Sequence, residues 1–140
     1  MFDRPVRSVM QRQSVLKAPP GTSVTVAAKR MATKNVGAVM VVEDDALVGI
    51  FTERDAVFRV IAQERDPRTT RLDEVMTPAP MTVGPDRSFG YALQLMHEHG
   101  FRHVPVVEDG KPVGIVSSRD ALDPDMEDFV AEARRREGIR

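Results

Sequence analysis

The sequence predicts an α/β chain, of the α+β kind, built from two copies of one β-α-β-β-α unit. Three observations carry this. With the copies set 65 residues apart, 15 of the 37 positions from Pro20 to Ala56 are identical to those from Pro85 to Ala121, which shared composition does not produce. Each copy places an apolar stripe at helical period ahead of two short β-prone runs separated by a turn. Each copy then closes on the same phrase, Gly49-Ile50-Phe51-Thr52-Glu53-Arg54-Asp55 and Gly114-Ile115-Val116-Ser117-Ser118-Arg119-Asp120.

In order along the chain, Val6 to Met10 is a short apolar segment, and Val15-Leu16 reads as a first strand before the breaker Pro19-Pro20-Gly21. Ser23 can cap the helix that follows, on which Val24, Ala27, Ala28 and Met31 fall at i, i+3, i+4 and i+7; Asn35 and Gly37 end it. Ala38 to Val42 and Leu47 to Phe51 then form an antiparallel hairpin about Glu43-Asp44-Asp45. Thr52 stands at an N-cap, and Ala56, Val57, Val60 and Ile61 supply a buried stripe before Arg65-Asp66-Pro67.

The polar stretch Glu64 to Glu74 reads as a linker, after which Val75-Met76 echoes Val9-Met10 and the order repeats. Phe89, Ala92, Leu93 and Met96 restate the helical stripe; His103 to Val107 and Val113 to Val116 restate the hairpin, with Asp109-Gly110 a better turn than the first copy has. A last helix starts past Asp123-Pro124 with Met126, Phe129, Val130 and Ala133 on one face, and Arg134-Arg135-Arg136 is its solvated, dipole-compensating end.

Composition bounds the function classes. Halves of roughly 60 residues are marginal as independent cores, so each needs the other. Apolar residues make up 41%, charged residues 29%, and the formal charge is -1, which gives no global electrostatic case for nucleic acid or a membrane surface. The absence of cysteine excludes disulfides and thiolate chemistry, and Met1-Phe2-Asp3-Arg4-Pro5 has no apolar signal segment, so the cytoplasm is the expected location. The longest apolar run, Val36 to Val42, is about a third of a spanning helix, so no membrane crossing is expected.

The repeated motif admits two readings. Thr52-x-x-Asp55 and Ser117-x-x-Asp120 are capping boxes in form, the hydroxyl accepting from an amide and the acid reaching back. A hydroxyl, a basic residue and a carboxylate at a strand-to-helix junction also suit a nucleoside phosphate. The carboxylate can accept from vicinal ribose hydroxyls, and the first amides of the helix favour phosphate. The two roles can coexist. Arg54 and Arg119 are either helix-face ion-pair partners or phosphate ligands.

Over about Val6 to Leu122 the chain resembles a tandem pair of cystathionine β-synthase (CBS) domains, the Bateman module. What carries the resemblance is Val9-Met10 and Val75-Met76-Thr77, the runs Val36 to Val42 and Phe101 to Val107, and the two Gly-x-x-[Thr/Ser]-x-x-Asp motifs. It implies a repeat over 6–65, a linker over 66–74, a repeat over 75–123 and a C-terminal helix and tail over 124–140, the repeats packing with pseudo-twofold symmetry around two clefts. It further implies a regulatory protein and not an enzyme, with no required cofactor. The clefts would take AMP, ADP, ATP, NAD or S-adenosylmethionine as regulatory ligand, and output would pass through a homodimer or an unidentified protein effector.

In the family the motif Asp holds the ribose. One cleft would therefore gather Asp120, Ser117, Arg119 and Ile115 with Ser14, Val15 and Leu16 from the opposite copy, and Val36, Gly37, Arg102 and His103 from the strand starts. The other would gather Asp55, Thr52, Arg54 and Ile50 with Thr77, Pro80, Met81, Phe101 and Arg102. The clefts are expected to be unequal. Phe101-Arg102-His103 carries two potential cations where Val36-Gly37-Ala38 carries none, so the Asp120 cleft should prefer a phosphorylated ligand.

Other readings are weaker. His97, His99 and His103 are close in sequence, but Gly100 breaks the helix between them and no cysteine or nearby acid cluster completes a metal site. Ser117, His103 and Asp120 could form a hydrolase set, yet the duplicate has Ala38 where His103 stands. Nucleic-acid binding has only Phe101 beside a basic pair. A ligand-independent scaffold, its motifs acting only as helix caps, is the main alternative.

Overall fold

A computed structural model describes residues 2–10, 15–121 and 123–138. The first copy contains α1 (Val6–Val9), β1 (Lys17–Ala18), α2 (Val24–Lys34), β2 (Ala38–Glu43), β3 (Ala46–Thr52) and α3 (Glu53–Asp55), which widens into a π-helical coil over Ala56–Ile61. The second contains α4 (Leu72–Val75), β4 (Thr77–Pro78), α5 (Phe89–His99), β5 (His103–Glu108), β6 (Lys111–Ser117), a 3-10 turn at Ser118–Ala121 and α6 (Asp123–Arg136).

The internal repeat is written into the strand register. Ala38 pairs with Thr52 as His103 pairs with Ser117, and both hairpins carry a bulge, between Val41 and Val42 and between Val106 and Val107. Both turn through two residues of positive φ, Asp44 (52°) with Asp45 (64°) and Asp109 (53°) with Gly110 (78°), the geometry that follows strand twist. Beside β2 runs β1 in parallel, Ala18 facing Val41; 65 residues on, Val83 bridges Val106 in parallel at the matching place.

Each helical stripe seals its sheet. Val24, Ala27 and Met31 of α2 and Phe89, Ala92, Leu95 and Met96 of α5 are buried, while Ala28 faces outward and Leu93 is half-buried. Ser23 and Ser88 cap the two helices, accepting from the Val26 and Tyr91 amides, and Asn35 (φ 55°) and Gly100 (φ 74°) end them in the left-handed conformation.

The copies exchange their first elements. The core under α2 includes Leu72 and Val75 from α4, and the core under α5 includes Val6 and Met10 from the chain start. Backbone bonds fix the exchange in matching pairs: Val6 donates to Arg87 and Arg7 to Pro85, as Leu72 donates to Thr22 and Asp73 to Pro20. Strand β4 likewise completes the first copy's sheet, Thr77 beside Ile50 and Pro78 beside Gly49, giving the order β1-β2-β3-β4. Gly49 leaves room there for the Met76 side chain, which a Cβ would push aside. Neither half owns a complete core, as the size of each half demands.

Four expectations need correction. The first strand lies at Lys17–Ala18, one step past Val15-Leu16, although the Leu16 carbonyl already accepts from Met40 at 2.9 Å. The stripe after Thr52 is not buried as a whole: Val60 is buried, but Val57 is 48% and Ile61 69% exposed, because the π-helical coil turns more slowly per residue than a 3.6-residue helix. The last helix begins at Asp123 and includes Pro124, not past them; Phe129 and Val130 are exposed on it, and the side chain of Met126 lies outside the described part. The stretch read as linker contains buried Thr70 and Leu72.

Candidate functional site

The two sheets meet where Ile50 and Ile115, equivalent residues 65 apart, pack with Ala38 and Val15. On either side of this contact the chain leaves a cleft. At both, the strand-to-helix junction is anchored to the neighbouring strand start by one amide: Glu53 donates to the Gly37 carbonyl and Ser118 to the Arg102 carbonyl, each at 3.0 Å. The scaffolds are copies; the side chains are not.

The larger cleft has a volume of about 620 Å³. Val15, Leu16, Val36, Gly37, Arg102, His103, Ile115, Ser117 and Arg119, all expected from the sequence, line it together. Asp120 is buried just behind them, its carboxylate accepting from the Ser117 amide at 2.7 Å. Ser14 lies outside the described residues. Sequence reading missed Lys34, Asn35, Ala38, Met40, Glu53 and Ser118 on this wall. Lys34 and Asn35 had a signal: they end α2 at the level where the matching helix places His99 and Gly100.

The second cleft consists of two adjoining hollows of about 380 Å³ each. One gathers Ile50, Thr52, Arg54, Asp55, Thr77, Pro80, Met81 and Phe101, and the other holds Arg102 with Phe101. Glu53, Val57, Phe58, Arg59, Ala79, Gly100 and His103 also line it and were not expected. Here the motif closes on itself. The Asp55 carboxylate accepts from the Thr52 amide (3.0 Å) and hydroxyl (3.3 Å), the hydroxyl accepts from the Asp55 amide, and the Arg59 guanidinium stands 3.5 Å from the other carboxylate oxygen. Arg59 also donates to the Val75 and Met76 carbonyls, tying the acid to the segment entering β4.

Arg54 lines both hollows and lies over the Phe58 ring at 4.7 Å, while the ion pair to Asp55 comes from Arg59. The position matching Arg59 is Pro124, which has no charge to offer. In the second motif Ser118–Ala121 is a tight 3-10 turn, and the Asp120 carboxylate accepts from the Ser117 amide as Asp55 does from Thr52.

Burial pushes the Asp55 carboxyl above its ordinary range, against the Thr52 hydrogen bonds and the Arg59 and Arg54 charges, which pull it down. Burial likewise pushes the His103 imidazole below its ordinary value; Glu53 and Asp120 oppose this and Arg102 reinforces it. His103 borders both clefts. Among the described residues no cluster of His, Asp and Glu could hold a metal ion, and no helix is long and apolar enough to cross a membrane.

The sequence matches the CBS domain family over residues 6–62 and 72–126. It is 36% identical over 119 residues to the uncharacterized protein MK0525 of Methanopyrus kandleri, covering 84% of this chain and 60% of that protein. It is 38% identical over 115 residues to the CBS domain-containing protein YhcV of Bacillus subtilis, covering 82% and 81%. Some relatives are much longer: the chain spans 49% of the mitochondrial CBSX3 protein of Arabidopsis thaliana, to which it is 40% identical over 101 residues, 69% of its own length.

Among solved structures, an uncharacterized conserved protein from Pyrococcus horikoshii superposes with a TM-score of 0.81 at 32% identity, covering 89% of this chain and 94% of that one. The CBS domain protein PAE2072 from Pyrobaculum aerophilum, complexed with AMP, gives 0.76 at 26% identity, covering 84% and 89%. The CBS domain pair of MJ0100, in complex with 5′-methylthioadenosine and S-adenosyl-L-methionine, gives 0.79 at 26% identity, covering 89% and 98%.

Proposed function

The chain belongs to the CBS domain family as a tandem pair, and from that premise we propose that it is a regulatory module that binds an adenosine-containing ligand in its larger cleft. The observation that carries this is the composition of that cleft. Asp120 stands behind Ser117 for the ribose hydroxyls, Ile115 and the Val15-Leu16 segment offer an apolar slot for the base, and Lys34, Arg102 and Arg119 supply cations for phosphate. The structural neighbours crystallised with AMP, 5′-methylthioadenosine and S-adenosyl-L-methionine support the adenosine class.

The ligand acts by favouring one arrangement of the two copies, which it can do only through a difference in affinity between arrangements. Its output passes through self-association in the cytoplasm or through a protein effector. The exposed apolar residues Phe58, Ile61 and Phe129 provide a surface for a homodimer. No step in this role requires catalysis.

Thermal unfolding of ligand-stripped protein with AMP, ADP, ATP, NAD and S-adenosylmethionine tests the reading. A ligand at 100 times its Kd stabilises by about 2.7 kcal/mol, a shift of several degrees. That shift should vanish in Asp120→Ala. No shift with any of the five would leave the motifs as helix caps.

A further inference from the structure

Glu53 is the acidic residue in the wall of the larger cleft, among the described residues. It comes from the first copy's motif, at the first position of α3, and stands between the clefts, lining the larger one, whose motif acid is Asp120, as well as one hollow of the second. Its carboxylate lies against the Cα of Gly37, where a Cβ would collide with it and would stand 3.4 Å from His103 Nε2. Glycine at 37 thus leaves room for an acid on the cleft floor. The matching position in the second copy is Ser118, which is uncharged, and the matching partner of Gly37 is Arg102.

Resting on the adenosine-ligand reading above, we infer that Glu53 is a specificity residue that limits the cleft to a nucleoside monophosphate and disfavours di- and triphosphates. Lys34, Arg102 and Arg119 give the described wall three positive charges, and Glu53 removes one. With Asp120 behind the wall the remaining positive charge is small, so a monophosphate dianion is nearer to balance than a di- or triphosphate. Each further phosphate adds negative charge beside Glu53 without a matching cation. Asp120 adds a charge common to every ribose-bearing ligand and leaves this ordering unchanged. Half-buried His103, whose pKa burial pushes below its ordinary value, does not alter it.

Calorimetric titration of the full chain with AMP, ADP and ATP, run on the native protein and on Glu53→Gln and Glu53→Ser, tests the inference. Glu53 is exposed, so either variant keeps the fold, and serine is what the second copy carries. The native protein should bind AMP most tightly. Both variants should move the ADP-to-AMP affinity ratio toward ADP by about fivefold, the value of one unit charge at contact distance in a solvated cleft. AMP binding with the same ratios in all three proteins overturns the role of Glu53 and leaves the adenosine reading standing. Failure of the native protein to bind any of the three overturns both.

Discussion

The two clefts share a backbone and differ in what their charged residues are bonded to. Around Asp55 the charges are spent on the protein: the carboxylate is held by Thr52 and Arg59, Arg59 is tied to Val75 and Met76, and Arg54 lies on Phe58. Around Asp120 the cations Lys34, Arg102 and Arg119 line an open cleft of about 620 Å³. Duplication copied the register, the bulges and the strand-to-helix amide, all of which are backbone features. Side chains then diverged at Gly37 against Arg102, Ala38 against His103, Glu53 against Ser118 and Arg59 against Pro124. On the function proposed above, one cleft is a joint between the copies and the other a site.

The comparison presumes that the halves are one cooperative body, and the largest expected effect tests this. Leu72→Ala removes a fully buried side chain that the second copy lends to the first core, and should cost about 2–5 kcal/mol. Because of the exchange, urea unfolding should remain a single transition with a lower midpoint. Two separated transitions would mean that the halves are independent and the clefts cannot communicate.

Arg102→Ala sharpens the difference between the clefts. A charge-assisted hydrogen bond contributes roughly 1.5–3 kcal/mol, so AMP affinity should fall by about tenfold or more, with adenosine affinity little changed. An equal loss for both ligands would place Arg102 in folding and not in phosphate binding. Asp55→Ala is expected to be smaller in a different quantity: loss of a capping box costs about 1 kcal/mol of stability, while the AMP-induced shift in Tm persists.

The smallest effect is one of pH. The folded protein holds His103 below its ordinary pKa, so it binds fewer protons than the unfolded chain in that window. The contribution is fully present above the unfolded pKa of about 6.5 and is lost as pH falls through the lower folded value. His103→Gln should flatten this part of the stability profile measured from pH 7.5 to 5. Glu53, Asp120 and Arg102 act on the same imidazole, so an unchanged profile would assign the dependence elsewhere.

Much of this architecture was legible because repetition supplies an internal control. Each β-prone run and each motif had to make sense twice, and the hairpins, the serine caps and the gathering of Thr52, Asp55, Ser117 and Arg102 at clefts followed. The exchange of α1 and α4 was not legible, since four-residue helices carry no periodicity and their backbone partners, such as Arg87 for Val6 and Thr22 for Leu72, lie 50 or more residues away in sequence. Nor was the outward turn of Val57 and Ile61. A helical wheel assumes 3.6 residues per turn, and the π-helical coil departs from it. Glu53 was given no role from the sequence; its signal was the paired difference of Glu53 from Ser118 and Gly37 from Arg102.

The central claim is that one cleft binds and its duplicate holds the copies together. Titrating AMP into the native chain, Asp120→Ala and Asp55→Ala by calorimetry tests it most directly. One AMP per chain, lost in Asp120→Ala and retained with similar affinity in Asp55→Ala, is the expected result. Loss of binding in Asp55→Ala alone, or two equivalent sites in the native chain, would contradict it.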